Sequence, residues 1–525
     1  MTDCCDTLRY PVGIQSFSEI REGGYVYVDK TTFIHKLIQE GKYYFLSRPR
    51  RFGKSLLLST IQAYYEGRRD LFRGLALDSL TDKWEPHPVL HLDLNSSDYS
   101  CKEALTEIIE NDFAQWEEKY NLTSGSCVSA SIRFGNIIRE IYAKTNKKVV
   151  ILIDEYDKPM LQAISNEPLA DKFRTTLKAI YGNLKSMDSY IELAIMTGVA
   201  RFSKVSIFSD LNNLRDITFE DKFSAICGIT NDEIDRYFPI GIQCLADKYH
   251  MTYEEAREQL RSRYDGYHFA EDMTDIYNPF SIINVFAANK LDTYWFQSGA
   301  PTFLVRLLEK KPIPIRNISG FEIGEHTLKS AGIMSNDPVV SLYQSGYLTI
   351  KAYDFESGLL TLDYPNREVK ESFLKFLVPH YTAVQETETE FALSQFVKDV
   401  NMGRPEEFMQ RLSSLIAKVP YGGKGTTPED HFQNAIYLVF TLMGYRTHIE
   451  ERMARGRIDM TVDVPGHVYI FEFKVNKSAK EAMEQIKANR YWSGLETSGK
   501  QIVLIAANFD SRSRQLTDDT IIERI

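Results

Sequence analysis

Four short apolar runs, Tyr43–Leu46, Val89–Leu94, Val149–Ile153 and Ile191–Met196, punctuate the first part of the chain. Each reads as a buried strand, and Tyr43–Leu46 and Val149–Ile153 carry no polar position at all, where a strand with one wet face would alternate. Helix-period stretches fall among them, at Thr31–Glu40, Lys54–Tyr65 and Lys102–Glu117. Strands that alternate with helices predict an α/β fold whose mostly parallel sheet is covered on both faces.

At 525 residues the chain exceeds one ordinary core, and two to four domains are expected. From Phe223 to Leu308 the pattern becomes mainly helical, with helix-period positions over Asp232–Tyr249 and Thr252–Tyr264. Ser341–Ile350 reads as a helix end passing through Gly346 into a strand, with a hairpin partner at Gly358–Asp363, which suggests a winged-helix-like unit. Val419–Gly425 is rich in Pro and Gly and reads as a linker. Beyond it come a helix (Pro428–Met443), three strands (Tyr445–Glu451, Arg457–Val464, Val468–Lys474), a helix (Ala479–Tyr491) and a strand (Gln501–Ala506), an αβββαβ order. The expected division is therefore 1–222, 223–418 and 426–525.

A hydrophobic fraction of 43% with 26% charged residues fits a soluble globular chain rather than a disordered one. The net charge of −10 argues against a protein that coats nucleic acid, though not against local phosphate contacts helped by divalent metal. Six cysteines, scattered apart from the adjacent Cys4 and Cys5 and without C-x-x-C spacing, suggest a reduced, cytoplasmic protein without structural zinc. No signal peptide and no membrane span of about 20 apolar residues is expected.

Ser47–Ser55 lies between a strand and a helix, the context in which backbone N–H groups and a helix N-terminus wrap phosphates. Arg50, Arg51, Phe52 and Gly53 would line the phosphates, Lys54 would reach the β- and γ-phosphates, and the Ser55 hydroxyl would ligate Mg²⁺. In G-x-x-x-x-G-K-[ST] the first glycine falls on Arg48, and Pro49 stiffens the turn further. A basic strand-to-helix turn is the plain alternative. Val149–Glu155 tips the balance, because a buried strand ending in Asp154 and Glu155 supplies a magnesium-shell acid and a group to polarise water. Thr197 ends the fourth strand, where it either senses the γ-phosphate or caps the strand. Arg201 is either a finger for a neighbouring subunit or a surface arginine.

These stretches resemble the bacterial AAA-ATPase-like proteins. The resemblance rests on Gly13–Phe17, Tyr27–Thr31, Arg48–Ser55, Ile153–Asp157, Ser206–Leu214 and Tyr277–Ser281, spanning the first half of the chain. Family members share the Arg-Pro-Arg-Arg-Phe loop, so the missing glycine is a family trait, and the resemblance implies ATP binding.

A second cluster sits near the C-terminus. Glu472 and Lys474, two apart on one strand, share a face, and Asp459 on the preceding strand joins them if the strands are neighbours. Two carboxylates would bind Mg²⁺ (or Mn²⁺), which neutralises a scissile phosphate and acidifies water, while Lys474 positions that water. Glu429 is either a further metal ligand or a first-turn charge favoured by the helix dipole. Gln485 is a candidate to line the groove, with Tyr491 on an adjoining face. Arg452, Arg455 and Arg457 are either phosphate contacts or a solvated loop. This arrangement resembles the PD-(D/E)xK nuclease superfamily, in the branch found behind AAA-ATPase-like domains.

Two metal-assisted sites on one chain imply ATP-regulated cleavage of nucleic acid, DNA foremost, in defence or mobile-DNA handling, in a chain that can form homo-oligomers. The alternative is a nucleotide-dependent switch or signalling ATPase whose C-terminal domain binds nucleic acid or a protein without cutting.

Overall fold

The computed structural model describes residues 8–95, 97–123, 129–164, 166–200, 213–298, 318–330, 337–382, 388–416, 428–443, 446–453, 456–493, 499–513 and 515–525. Two compact units emerge, Met1–Val305 with Ser319–Val369, and Arg306–Ile318 with Lys370–Ile525.

The first unit is built on strands β1 (Tyr43–Ser47), β2 (Val89–Asp93), β3 (Val149–Asp154), β4 (Ile191–Gly198) and β5 (Arg215–Asp216). They pair in the order β2-β3-β4-β1-β5, and every pairing is parallel. Val149 to Ile153 are all at most 2% exposed, which is why this run carries no alternation. Helices Ala104–Lys119, Ala130–Thr145 and Glu167–Tyr181 bury their apolar stripes in the same core. Because β4 sits between β1 and β3, the chain order reverses there, and the carboxyl ends of all three strands open at one crevice.

The middle of the chain is helical as expected, with one correction. Asp232–Tyr249 is two helices, Asn231–Tyr237 and Pro239–Tyr249, separated at Phe238. Pro239 lacks an N–H and its ring would clash in a helix interior, so it opens a new helix instead. Strands β6 (Ile229–Thr230) and β7 (Ile276–Tyr277) form a short antiparallel ladder that the sequence reading missed. Strands β8 (Phe321–Gly324), β9 (Thr349–Asp354) and β10 (Leu359–Asp363) form an antiparallel sheet in the order β8-β10-β9, with helix Pro338–Gln344 between β8 and β9 in the chain.

The second unit carries β11 (Arg446–Met453), β12 (Gly456–Val464), β13 (His467–Val475), β14 (Gln501–Asp510), β15 (Gln515–Leu516) and β16 (Ile521–Arg524). Only β13 and β14 are parallel, and helix Ala479–Asn489 makes the crossover that a parallel pair requires. That helix covers one face through Ala482, Met483 and Ile486. Helices Thr389–Asn401, Pro405–Ile416 and Pro428–Leu442 cover the other, where Phe396, Phe408 and Phe440 pack with Phe471. The second unit thus begins well before residue 426, because the stripes of those preceding helices are buried only against this sheet. The expected linker at 419–425 lies outside the described residues.

Among the described residues Cys101 and Cys227 carry free thiols. Among the described residues no helix is long and apolar enough to cross a membrane.

Candidate functional site

The β1-to-helix turn ends at Gly53, whose φ of 91° lies in the left-handed region that a side chain resists, and helix Lys54–Tyr65 starts immediately after it. Lys54 is 3% exposed, and its Nζ donates to the carbonyls of Arg48 (3.1 Å) and Pro49 (3.2 Å). It also stands 3.4 Å from the Glu155 carboxylate. Ser55 is half-buried in the first turn of the same helix. Register brings the other strand ends together, with Ser47 opposite Gly198 and Ile153 opposite Met196. Thr197 donates its hydroxyl to Asp154 Oδ1 at 2.6 Å, so it is tied to the β3 acid rather than capping its own strand. The Glu155 N–H donates to the same oxygen at 3.0 Å, and Glu155 itself has a φ of 50°. Lys54, Asp154, Glu155 and Thr197 therefore converge.

The rest of the loop divides differently from the sequence expectation. Arg50 is exposed at the tip. Arg48, standing where the motif has glycine, is 1% exposed, and its guanidinium donates to the carbonyls of Ser47, Thr218 and Phe223 above the Phe269 ring. Phe52 is buried among Tyr267, Phe269 and Trp295, so only its backbone is left to meet a phosphate. The Arg51 guanidinium lies over the Phe280 ring and donates to Tyr294 O, so that side chain too is engaged by the middle region. Beside Gly53 lies a mostly apolar cavity lined by Val26, Val28, Leu56, Ile229, Pro279 and Ile283, the kind of surface that receives a flat heterocycle. Arg201 lies outside the described residues.

Asp157 is the acid that sequence reasoning missed, although it closes the Ile153–Asp157 stretch. Fully buried, it accepts from the N–H groups of Val199 (3.0 Å) and Ala200 (2.5 Å), pinning the turn after β4. Burial, and then the charge of Glu155, pushes its carboxyl up to about 7.

In the second unit the β12–β13 register pairs Met460 with Phe471, and continuing it sets Asp459 opposite Glu472. Asp459 Oδ2 accepts from the Phe473 N–H at 2.8 Å. Glu472 is 1% exposed; one oxygen meets Lys474 Nζ at 2.8 Å and the other has no hydrogen-bond partner. Burial, then the Asp459 charge, pushes the Glu472 carboxyl up to about 7. Lys474 also donates to Gln485 Oε1 at 2.5 Å, which brings Gln485 to the cluster. The helix stops at Asn489 rather than Tyr491; Arg490 turns left-handed (φ 45°), and the Tyr491 hydroxyl folds back to accept from Gln485 and Asn489. Helical periodicity does not anticipate that return.

The donor set suits a hydrated divalent ion. Magnesium is commonly held by one or two carboxylates, its remaining positions taken by water and substrate phosphate. Asp459 and Glu472 supply two carboxylates, and the unpartnered buried Glu472 oxygen is costly unless a cation meets it. Among the described residues no group of three or more His, Cys, Asp or Glu is gathered to hold a metal. Glu429 lies in the first turn of helix Pro428–Leu442, but its side chain, like those of Arg452, Arg455 and Arg457, is outside the described residues.

Comparison with known proteins agrees with this two-site layout. The family described as predicted AAA-ATPase matches residues 11–208, and the PD-(D/E)XK nuclease superfamily matches residues 427–519. Families of these kinds generally use nucleotide and divalent metal, and the two matches together give the chain ATPase and nuclease potential. A relative from Azotobacter chroococcum mcd 1, an uncharacterized protein in the vnfD 5′ region, is 33% identical over 530 residues, covering 97% of this chain and 98% of the relative. The Aeropyrum pernix ORC2 protein, solved in ADPNP-ADP complexes, aligns with 70% of this chain and 94% of its own at 10% identity, with a TM-score of 0.25 that is too low to bear on function. With both domain types matched in order and a full-length relative at that identity, the chain belongs to the predicted AAA-ATPase family and carries a C-terminal domain of the PD-(D/E)XK nuclease superfamily.

Proposed function

We propose that the protein is an ATP-regulated, divalent-metal-dependent nuclease that cleaves DNA phosphodiester bonds. In this reading Gly53, Lys54 and Ser55 hold the triphosphate, and the backbone N–H groups of Arg50 and Phe52 complete the cradle. Asp154 and Ser55 serve a nucleotide-bound magnesium, Thr197 fixes the Asp154 carboxylate, and Glu155 polarises the attacking water. The Lys54 ammonium lies between the loop carbonyls of Arg48 and Pro49 and the Glu155 carboxylate.

At the second site Asp459 and Glu472 would hold Mg²⁺ or Mn²⁺, with Glu429 a further candidate ligand. Such an ion supplies charge neutralisation at the scissile phosphate and a more acidic water. Lys474, held between Glu472 and Gln485, is placed to orient that water or meet developing charge. The observation that carries the reading is the buried Glu472 oxygen left without a partner beside a second carboxylate and a lysine.

The test is cleavage of single- and double-stranded DNA and RNA by the full chain, with and without ATP, in Mg²⁺ or Mn²⁺. Cutting that disappears in Asp459→Ala and in Lys474→Ala supports the assignment. Cutting by wild type that survives in Lys474→Ala counts against it, and nucleotide binding with no cutting under any condition supports the switch that binds without cleaving.

A further inference from the structure

Arg51 belongs to the phosphate loop by sequence, yet its side chain grips two segments more than two hundred residues away in the chain. Its guanidinium carbon lies 3.6 Å from the centre of the Phe280 ring, and it donates to the Tyr294 carbonyl at 3.4 Å. Glu368 grips the same two segments from another direction. One of its oxygens accepts from the N–H groups of Tyr294 (2.6 Å) and Trp295 (3.0 Å), and the other accepts from the Ser281 hydroxyl at 2.8 Å. Phe280 and Ser281 are adjacent in the first turn of helix Pro279–Ala288, so Arg51 and Glu368 clamp one turn and one bend between them.

The surroundings make this clamp stiff. Arg51 has a φ of 67°, an uncommon conformation for a bulky residue that persists only when its surroundings over-determine it. Glu368 is 4% exposed and satisfies both oxygens with the donors named, so losing one would strand a buried carboxylate. Glu368 is also the second residue of helix Arg367–Tyr381, and that helix carries the chain past Val369, where the first compact unit ends, into the second. Arg51, the segment at Tyr294–Trp295 and the start of helix Arg367–Tyr381 thus form one continuous series of contacts.

We propose that Arg51 and Glu368 are paired positioning residues that pass the state of the phosphate loop, through Phe280–Ser281 and Tyr294–Trp295, to helix Arg367–Tyr381. Arg51 is then a reader of the loop rather than a ligand of the phosphates. The inference rests on the nucleotide reading of that loop and names how its occupancy leaves the first unit.

Hydrogen–deuterium exchange of the full chain with and without ATP and Mg²⁺, alongside a nucleotide-binding titration, tests it. In wild type, ATP is expected to slow exchange by about tenfold at residues 294–298 and 367–375 as well as in the loop itself. Arg51→Ala should keep nucleotide affinity within about tenfold of wild type and lose the response at both distant segments. Glu368→Ala should lose the response at 367–375, while Glu368→Gln, which keeps an acceptor for the two N–H groups, should retain it; a merely structural role predicts no such rescue. The proposal is overturned if the distant response persists in Arg51→Ala, if that variant loses more than about tenfold in affinity, or if wild type binds ATP with no change at 367–375. Absence of nucleotide binding by wild type overturns the ATP-site reading itself, an outcome the titration distinguishes from the others.

Discussion

Replacing Glu472 by glutamine should make the metal-free protein more stable in base and leave it unresponsive to metal. Glutamine has the shape of the protonated carboxyl and cannot ionise. In the fold the Glu472 carboxyl is pushed up to about 7 from an ordinary value of 4.5, chiefly by burial and then by Asp459. At about 1.4 kcal/mol for each tenfold change in acidity, ionising it in place costs on the order of 3 kcal/mol. The sign follows from the raised value. The favourable contribution of the protonated form is complete below about pH 4.5, falls as the pH rises, and is gone once the pH has passed about 7. Other groups titrate over this window, but they are common to both proteins, so the wild-type-minus-variant difference isolates Glu472. Thermal unfolding without metal should show equal midpoints near pH 4.5 and a variant midpoint roughly 6–12 °C higher at pH 8. Adding Mg²⁺ or Mn²⁺ at pH 8 should raise the wild-type midpoint and leave the variant unmoved, because a ligand stabilises only the state that binds it. A variant that is no more stable than wild type at pH 8, or one that metal stabilises equally, refutes the reasoning.

Glu155→Gln should bind ATP and hydrolyse it about 10²–10⁴ times more slowly, as measured by phosphate release, since a general base of this kind contributes in that range. Lys54→Ala should weaken nucleotide binding by well over tenfold in a fluorescence titration, because its ammonium is the loop cation gathered with Asp154, Glu155 and Thr197. Gly346→Ala should weaken nucleotide binding and destabilise the first unit by about 1–3 kcal/mol. Its φ is 84°, and a Cβ there would stand 2.7 Å from Pro49 Cβ on the phosphate loop, so calorimetry and the same titration would report the two effects together.

The sequence by itself determined the elements and most of the chemistry. Apolar runs identified β1 and β3, because strands buried on both faces leave no polar positions to alternate, whereas β2 at the sheet edge alternates through His91 and Asp93. The two-residue spacing of Glu472 and Lys474 put them on one face, because strand side chains repeat every second residue. Gly53-Lys54-Ser55 and Asp154-Glu155 marked the strand ends where phosphate and magnesium chemistry belongs. Only the tertiary structure decided which neighbours those residues meet. Arg51 and Phe52 look like phosphate-loop residues in one dimension, yet their side chains pack on Phe280 and in the Tyr267–Phe269–Trp295 cluster, partners that no local pattern connects to them. Asp157 gains its two N–H donors from a turn that follows a different strand. The helices from Thr389 to Ile416 belong with the C-terminal sheet because it receives their apolar stripes, whereas composition suggested a break after them. Propensity and periodicity act over one or two turns of chain, while hydrogen-bond satisfaction and burial act between any residues that the topology brings together.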